Sequence, residues 1–217
     1  MLRQSEASSP STFNFEEIRL MIDNTAPFLA ALLGFFAGSI PFGLLLTRAA
    51  GLGDVRDIGS GSIGATNVLR TGNKWLAAAT VLLDAAKGAV PVLIAAHFWS
   101  GSEGIAAIAA VAGHCFTPWL KFKGGKGFAT AAGVLLALDW QLMLACAAIW
   151  VAALAISRIS SVSSMTTVVA APIIAWAFGR PELVWPLIAI AAIVLIQHRA
   201  NIGRLMRGEE PKVGNKT

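Results

Sequence analysis

Four stretches of this chain, residues 26–47, 104–120, 140–157 and 159–179, run without a single Asp, Glu, Lys or Arg. Roughly 20 apolar residues wound as helix reach across the hydrocarbon core of a bilayer. Segments of this length cannot be left facing water, so the chain reads as an integral membrane protein. Composition points the same way. Of the 217 residues, 56% are hydrophobic and 13% charged, and the mean hydropathy is +0.68. A soluble domain carries roughly 25% charged residues.

A fifth apolar stretch, 75–99, is interrupted by Asp84 and Lys87, while 128–138 and 183–197 are shorter and need their flanks to span. Together these predict an all-α protein of about seven transmembrane helices. An odd count puts the two ends on opposite sides, and the charges agree. Residues 1–25 hold Arg3 and Arg19 against Glu6, Glu16, Glu17 and Asp23, whereas the tail after Gln197 holds Arg199, Arg204, Arg207, Lys212 and Lys216 against Glu209 and Glu210. The positive-inside bias then places the N-terminus outside, with the tail, residues 48–74, residues 121–126 and Arg158 in the cytoplasm. The acidic start is unlike a basic secretory n-region, so the first run reads as a retained anchor. This divides the chain into an outer arm (1–25, with a short interfacial helix at 13–22), a transmembrane domain (26–207) and a cytoplasmic tail (208–217). Cys115 and Cys146 sit in apolar settings and make no disulfide framework.

Glycines and cations concentrate in two of the inner segments: 54–70, reading DVRDIGSGSIGATNVLR, and 121–130, reading KFKGGKGFAT. Gly59, Gly61 and Gly64 in the first, and Gly124, Gly125 and Gly127 in the second, allow successive backbone N–H groups to turn toward one anion. Arg56, Arg70, Lys123 and Lys126 supply charge, and a helix starting after each loop would add the positive end of its dipole. Two such loops predict two phosphate groups at the membrane surface.

Competing readings of these motifs fail on context. Gly59, Gly61 and Gly64 match the dinucleotide-binding G-x-G-x-x-G, but no strand precedes them and Asp84 lies inside an apolar helix. Gly124-Gly125-Lys126-Gly127 lacks the upstream glycine and adjoining hydroxyl of a Walker loop. Asp84 and Lys87, three apart, share a helix face and neutralise one another. They read as an architectural ion pair or a catalytic one, and their distance in sequence from the loops favours the former. His114 opens the second loop segment, and His198 and Asn201 lie one helical turn apart; each could donate to a phosphate oxygen or move a proton. Ser160, Ser161, Ser163 and Ser164 either cap a helix or offer hydroxyls to a ligand. The chain has no Ser-His-Asp set, no metal-binding spacing and no H-x-x-x-x-D acyltransferase pair, so no cofactor or metal is expected and no side-chain general base is visible. The net charge of +5 does not predict nucleic-acid binding, because the cations are not interleaved with aromatics on one face.

In order, the motifs Gly38-Ser39-Ile40-Pro41-Phe42-Gly43, Asp54-Val55-Arg56 with Gly59-Ser60-Gly61 and Gly64-Ala65-Thr66-Asn67, Leu83-Asp84 with Lys87-Gly88, Gly113-His114 with residues 122–127, and His198-Arg199 with Asn201 resemble the PlsY-type acyl-phosphate:glycerol-3-phosphate acyltransferases of bacterial membranes. The resemblance runs from about Gly34 to Glu210. It departs at Ser62, where the family usually has Asn, and at Thr117, where it usually has Pro. It implies seven helices, an active site on the cytoplasmic side of the inner membrane, and a monomer with no cofactor. The implied reaction moves a fatty acyl group from acyl phosphate to the sn-1 hydroxyl of glycerol 3-phosphate. By resemblance Ser60, Arg70, Lys126, Ser161, His198 and Asn201 line the substrate phosphates. Gly59, Gly61, Ser62, Gly64, Thr66 and Asn67 shape one cradle, with His114, Lys123, Gly124, Gly125 and Gly127 at the other. A transporter would instead show inverted repeats and midplane charges on broken helices, and an inert scaffold would have no use for paired phosphate loops.

Overall fold

The structure is a computed structural model and describes residues 15–213. The outer arm up to residue 14, the first part of the expected interfacial helix and the last four residues of the tail lie outside the described residues. All regular structure within them is helical. The α-helices are α1 (Phe15–Gly38), α2 (Phe42–Ala49), α3 (Ala65–Val68), α4 (Lys74–Phe98), α5 (Glu103–Cys115), α6 (Phe128–Leu138), α7 (Trp140–Ser157), α8 (Ser160–Ala177), α9 (Val184–Gln197) and α10 (Arg199–Met206).

Four spans are long and apolar enough to cross a membrane: Asn24–Ala49, which joins α1 to α2, together with α4, α7 and α8. A fifth is available if α9 and α10, bent by 59° at His198, form one broken span. The expected run 104–120 is cut short. Pro118 forces Thr117 out of the helical region, to ψ 123°, so α5 stops at Cys115 after 13 residues. Helix α6 has only 11 residues, giving about 16 Å at 1.5 Å per residue. The count of long spans therefore falls below seven because α5 and α6 are short. The segment joining them carries the second glycine loop.

Apolar contact alone does little to hold helices together in lipid, where close backbone packing matters more. Gly34 and Gly38 of α1 lie so near α5 that a Cβ would overlap the carbonyls of Ala106 and Ala110. On α4 and α6, Gly88 and Gly133 fit against the carbonyls of Thr130 and Ala85 in the same way. The main apolar core, including Val92, Val111, Val134, Val168 and Val194, fills the space between these pairs and α8 and α9. A second cluster of Leu44, Val55, Ile63, Val68, Ala77 and Leu120 seats the first glycine loop on α2 and α4. Helix α7 buries only Leu142 and Cys146, as expected of a helix facing lipid.

Candidate active site

The first loop is built around one buried amide. Asn67, 2% exposed, donates through Nδ2 to the carbonyls of Val55, Ile58 and Ser62 at 2.7, 3.1 and 2.9 Å, and its Oδ1 accepts the Ser60 N–H at 3.1 Å. Its polar capacity is thus spent on the shape of the cradle. Asp54 anchors the entry, accepting from Arg56 Nε and Nη2 and from Arg48 Nη2. These bonds, that from Arg56 foremost, hold its carboxyl well below the usual carboxylate range. The loop glycines meet separate needs. Gly59, at φ +54°, sits under the Arg70 side chain, and a Cβ there would stand 2.5 Å from both Arg70 Cδ and Asn67 Oδ1. Ser62 is turned inward, its Oγ accepting the Gly64 N–H at 3.3 Å. Ser60, Thr66 and Arg70 are exposed on the loop.

The second loop differs from the sequence-based expectation. Its glycine N–H groups do not converge on one open point: Gly124 and Gly125 donate at 3.1 Å to the carbonyls of Cys115 and His114. They satisfy the orphan acceptors at the end of α5. Glycine is required there by contact, since a Cβ on Gly125 would overlap the His114 ring and one on Gly124 the His114 carbonyl. His114, 3% exposed, therefore lies beneath the loop. Thr117 ties the same segment to α1, donating to the Ser39 carbonyl at 2.7 Å. A prolyl residue at 117 could not make that bond.

The helix-dipole expectation also divides between the loops. After the first, α3 is a single turn of four residues, too short to build an appreciable dipole. After the second, α6 starts at a left-handed Gly127 with no side-chain cap, which leaves its first N–H groups open.

At the mouth of the bundle these parts meet. Lys126 is half-buried. Burial lowers its pKa, the Glu210 carboxylate opposes this, and Arg204 and Arg70 add to it through their charge. Cations from the first loop, the second loop and α10 thus share one field. His198, 2% exposed at the bend between α9 and α10, places Nδ1 2.8 Å from the Val194 carbonyl. A carbonyl only accepts, so Nδ1 carries the proton and Nε2 is the free nitrogen. Ser161 Oγ and Asn201 Nδ2 both donate to Glu210 Oε1, and Arg204 Nε donates to Oε2 at 2.7 Å. Burial alone would raise the Glu210 pKa, but these three donors outweigh it and hold the carboxylate below its ordinary range.

Glu210 and Arg204 were not among the candidates read from the sequence, where the tail served only as a charge count. A carboxylate nine residues after Asn201 in a basic tail was the available signal. Of the candidates, Ser161 and Asn201 meet on Glu210, the charge of Glu210 reaches Lys126 and His198, and that of Arg70 reaches Lys126, while Lys123 stays exposed.

A family model described as glycerol-3-phosphate acyltransferase matches residues 28–208. The chain belongs to the glycerol-3-phosphate acyltransferase family. Among its relatives, the glycerol-3-phosphate acyltransferase of Erythrobacter litoralis is 63% identical over 193 residues, covering 89% of this chain and 98% of the relative. That of Mesorhizobium japonicum is 55% identical, covering 87% and 96%. The fold agrees with the crystal structure of PlsY (YgiH), an integral membrane glycerol 3-phosphate acyltransferase, in its glycerol 3-phosphate form. There the TM-score is 0.82 at 33% identity over 87% of this chain and 96% of that one. The lysophosphatidic acid form of PlsY gives 0.81 at 32% identity. The family and the apolar helices together make this a multi-pass membrane protein.

Proposed function

We propose that this protein transfers a fatty acyl group from acyl phosphate to the sn-1 hydroxyl of glycerol 3-phosphate, releasing lysophosphatidate and inorganic phosphate, as the first step of bacterial membrane phospholipid synthesis. The observation that supports it most is the shared field of Arg70, Lys126 and Arg204 beside Ser161, His198 and Asn201 at one end of an apolar bundle. Two phosphates and one long acyl tail need that combination. In this reading the protein is a monomer of the inner membrane. Seven crossings, counting α5 and α6, would set the two ends on opposite sides, and the excess of cations in the tail supports an outside N-terminus with the site on the cytoplasmic side.

Acyl phosphate is a mixed anhydride. The glycerol hydroxyl oxygen attacks the acyl carbon, the carbon–oxygen bond to phosphate breaks, and the phosphate leaves with the electron pair. The hydroxyl proton passes to a substrate phosphate oxygen, so no protein nucleophile is required. Arg70 and Lys126 neutralise the phosphates, and Ser60, Ser161, His198 and Asn201 hold them, Ser161 and Asn201 by exchanging their bonds to Glu210 for bonds to phosphate; positioning with charge neutralisation supplies most of the rate. Gly59, Gly61, Ser62, Gly64, Thr66 and Asn67 form the cradle for acyl phosphate. Gly124, Gly125 and Gly127 hold the second loop over His114, with Lys123 at its rim.

Donor choice tests the proposal. Purified protein in a metal chelator, without nucleotide, is expected to form lysophosphatidate from acyl phosphate and glycerol 3-phosphate. A large preference for acyl-CoA would overturn the donor assignment.

A further inference from the structure

Deep in α4, away from the cations of the site, Asp84 and Lys87 form an ion pair of 2.7 Å with both side chains 2% exposed. Charges at membrane depth are costly, and a buried pair is often no more stable than apolar side chains of similar volume. Stability alone gives little reason for it. Its contacts give a better one.

On one side Lys87 Nζ donates to the Ile40 carbonyl at 2.7 Å. That carbonyl lies in the break between α1 and α2, where Pro41 interrupts the helix, and Nζ also stands 5.7 Å from the centre of the Phe42 ring. One residue on, Gly43 abuts the Ile63 carbonyl of the first glycine loop so closely that a Cβ would overlap it. On the other side Asp84 Oδ1 is 3.8 Å from His114 Nδ1. The His114 ring touches Gly125, and its carbonyl accepts the Gly125 N–H. A path of packed contacts therefore runs from the first loop through Gly43, Ile40, Lys87, Asp84 and His114 to the second loop, one residue before Lys126, with Asp84 and His114 in close approach rather than hydrogen-bonded.

We propose that Asp84, Lys87 and His114 are positioning residues that fix the distance between the two glycine loops, and with it the distance between the acyl carbon and the attacking hydroxyl. This rests on the reaction proposed above. Each loop would still bind its phosphate without them, but the two reactants would no longer be aligned, and a displacement of about 1 Å can cost roughly 10²-fold in rate.

The test uses the full chain in lipid, with melting temperature, kcat and both Michaelis constants measured. The paired variant Asp84→Leu with Lys87→Met removes both charges and leaves neither unpaired; His114→Gln cuts only the arm to the second loop. Both are expected to insert and to keep Michaelis constants within about threefold, while kcat falls about 10- to 100-fold. Lys87→Arg, which keeps a cation and donors beside Asp84, should retain most of the wild-type kcat that the paired variant loses. Wild-type kcat in either folded variant, or a loss confined to the melting temperature or to a Michaelis constant, would overturn the proposal. Should the paired variant fail to accumulate, His114→Gln decides alone. Absence of transfer in the wild-type protein would instead refute the reaction and leave this path without a role.

Discussion

At the scale of single residues, Lys126 is the side chain whose role packing explains least. The glycines on either side are fixed by contacts to α5, yet the lysine is half-buried, where burial lowers its pKa, Glu210 opposes this, and Arg204 and Arg70 add to the lowering through their charge. A charge-assisted bond to phosphate contributes about 1.5–3 kcal/mol, so Lys126→Ala should lower turnover about 10- to 100-fold while the protein still inserts and purifies. Near-normal activity would show that the second loop is only a turn. His198 separates binding from proton transfer. With Nδ1 committed to Val194, only Nε2 is left to meet a substrate in the proposed reaction, and His198→Asn retains an amide donor that cannot act as a base. The expected result is a raised Michaelis constant for glycerol 3-phosphate with a lesser change in kcat. Collapse of kcat at unchanged Michaelis constants would make His198 the general base. Lys126 stands out in the sequence as a cation between glycines and His198 through the resemblance, and the roles given to both are proposals that these variants test. Asn67 was legible as part of a cradle, but its fourfold contact with the loop was not, because spacing cannot say which backbone groups come to meet an amide.

At the scale of elements, the segment after α10 is a strap. Glu210 joins Ser161 on α8 to Asn201 and Arg204 on α10, and the Val213 N–H donates to the Arg158 carbonyl at 2.7 Å. The folded-state pKa of Glu210 lies below the ordinary glutamate value of 4.5, so its contribution is complete above that value and is lost as pH falls through the lower, folded-state one. Glu210→Gln should lower the melting temperature at neutral pH and flatten its decline in acid. A pH dependence of the melting temperature parallel to the wild type would show that the ionised Glu210 carboxylate does not hold the strap. Helix types and most boundaries could be read from uncharged runs, but the early end of α5 could not. Its carbonyls are capped by Gly124 and Gly125 from beyond the turn, a tertiary event with no local signature apart from Pro118.

At the scale of the whole molecule, the two loop segments are joined by packing of Leu120, just before the second loop, against Val55, Ile63 and Val68 of the first. The all-helical, membrane-embedded class was legible from hydropathy alone, since lipid leaves few alternatives. The meeting of α4, α5 and the two loops was not, because it depends on glycine contacts between helices far apart in sequence. In the proposed topology, a cysteine at Gly179 in the α8–α9 turn should react with an impermeant reagent on intact cells, and one at Lys212 should not. Labelling of both would contradict the crossing by α9 on which the seven-helix count depends. The central claim is that both phosphates are held at once and the acyl group moves directly between substrates. Initial rates with acyl phosphate and glycerol 3-phosphate both varied test it most directly. Intersecting double-reciprocal lines, with no burst of phosphate before acceptor is added, are the predicted result; parallel lines with such a burst would require an acyl-enzyme and contradict the account.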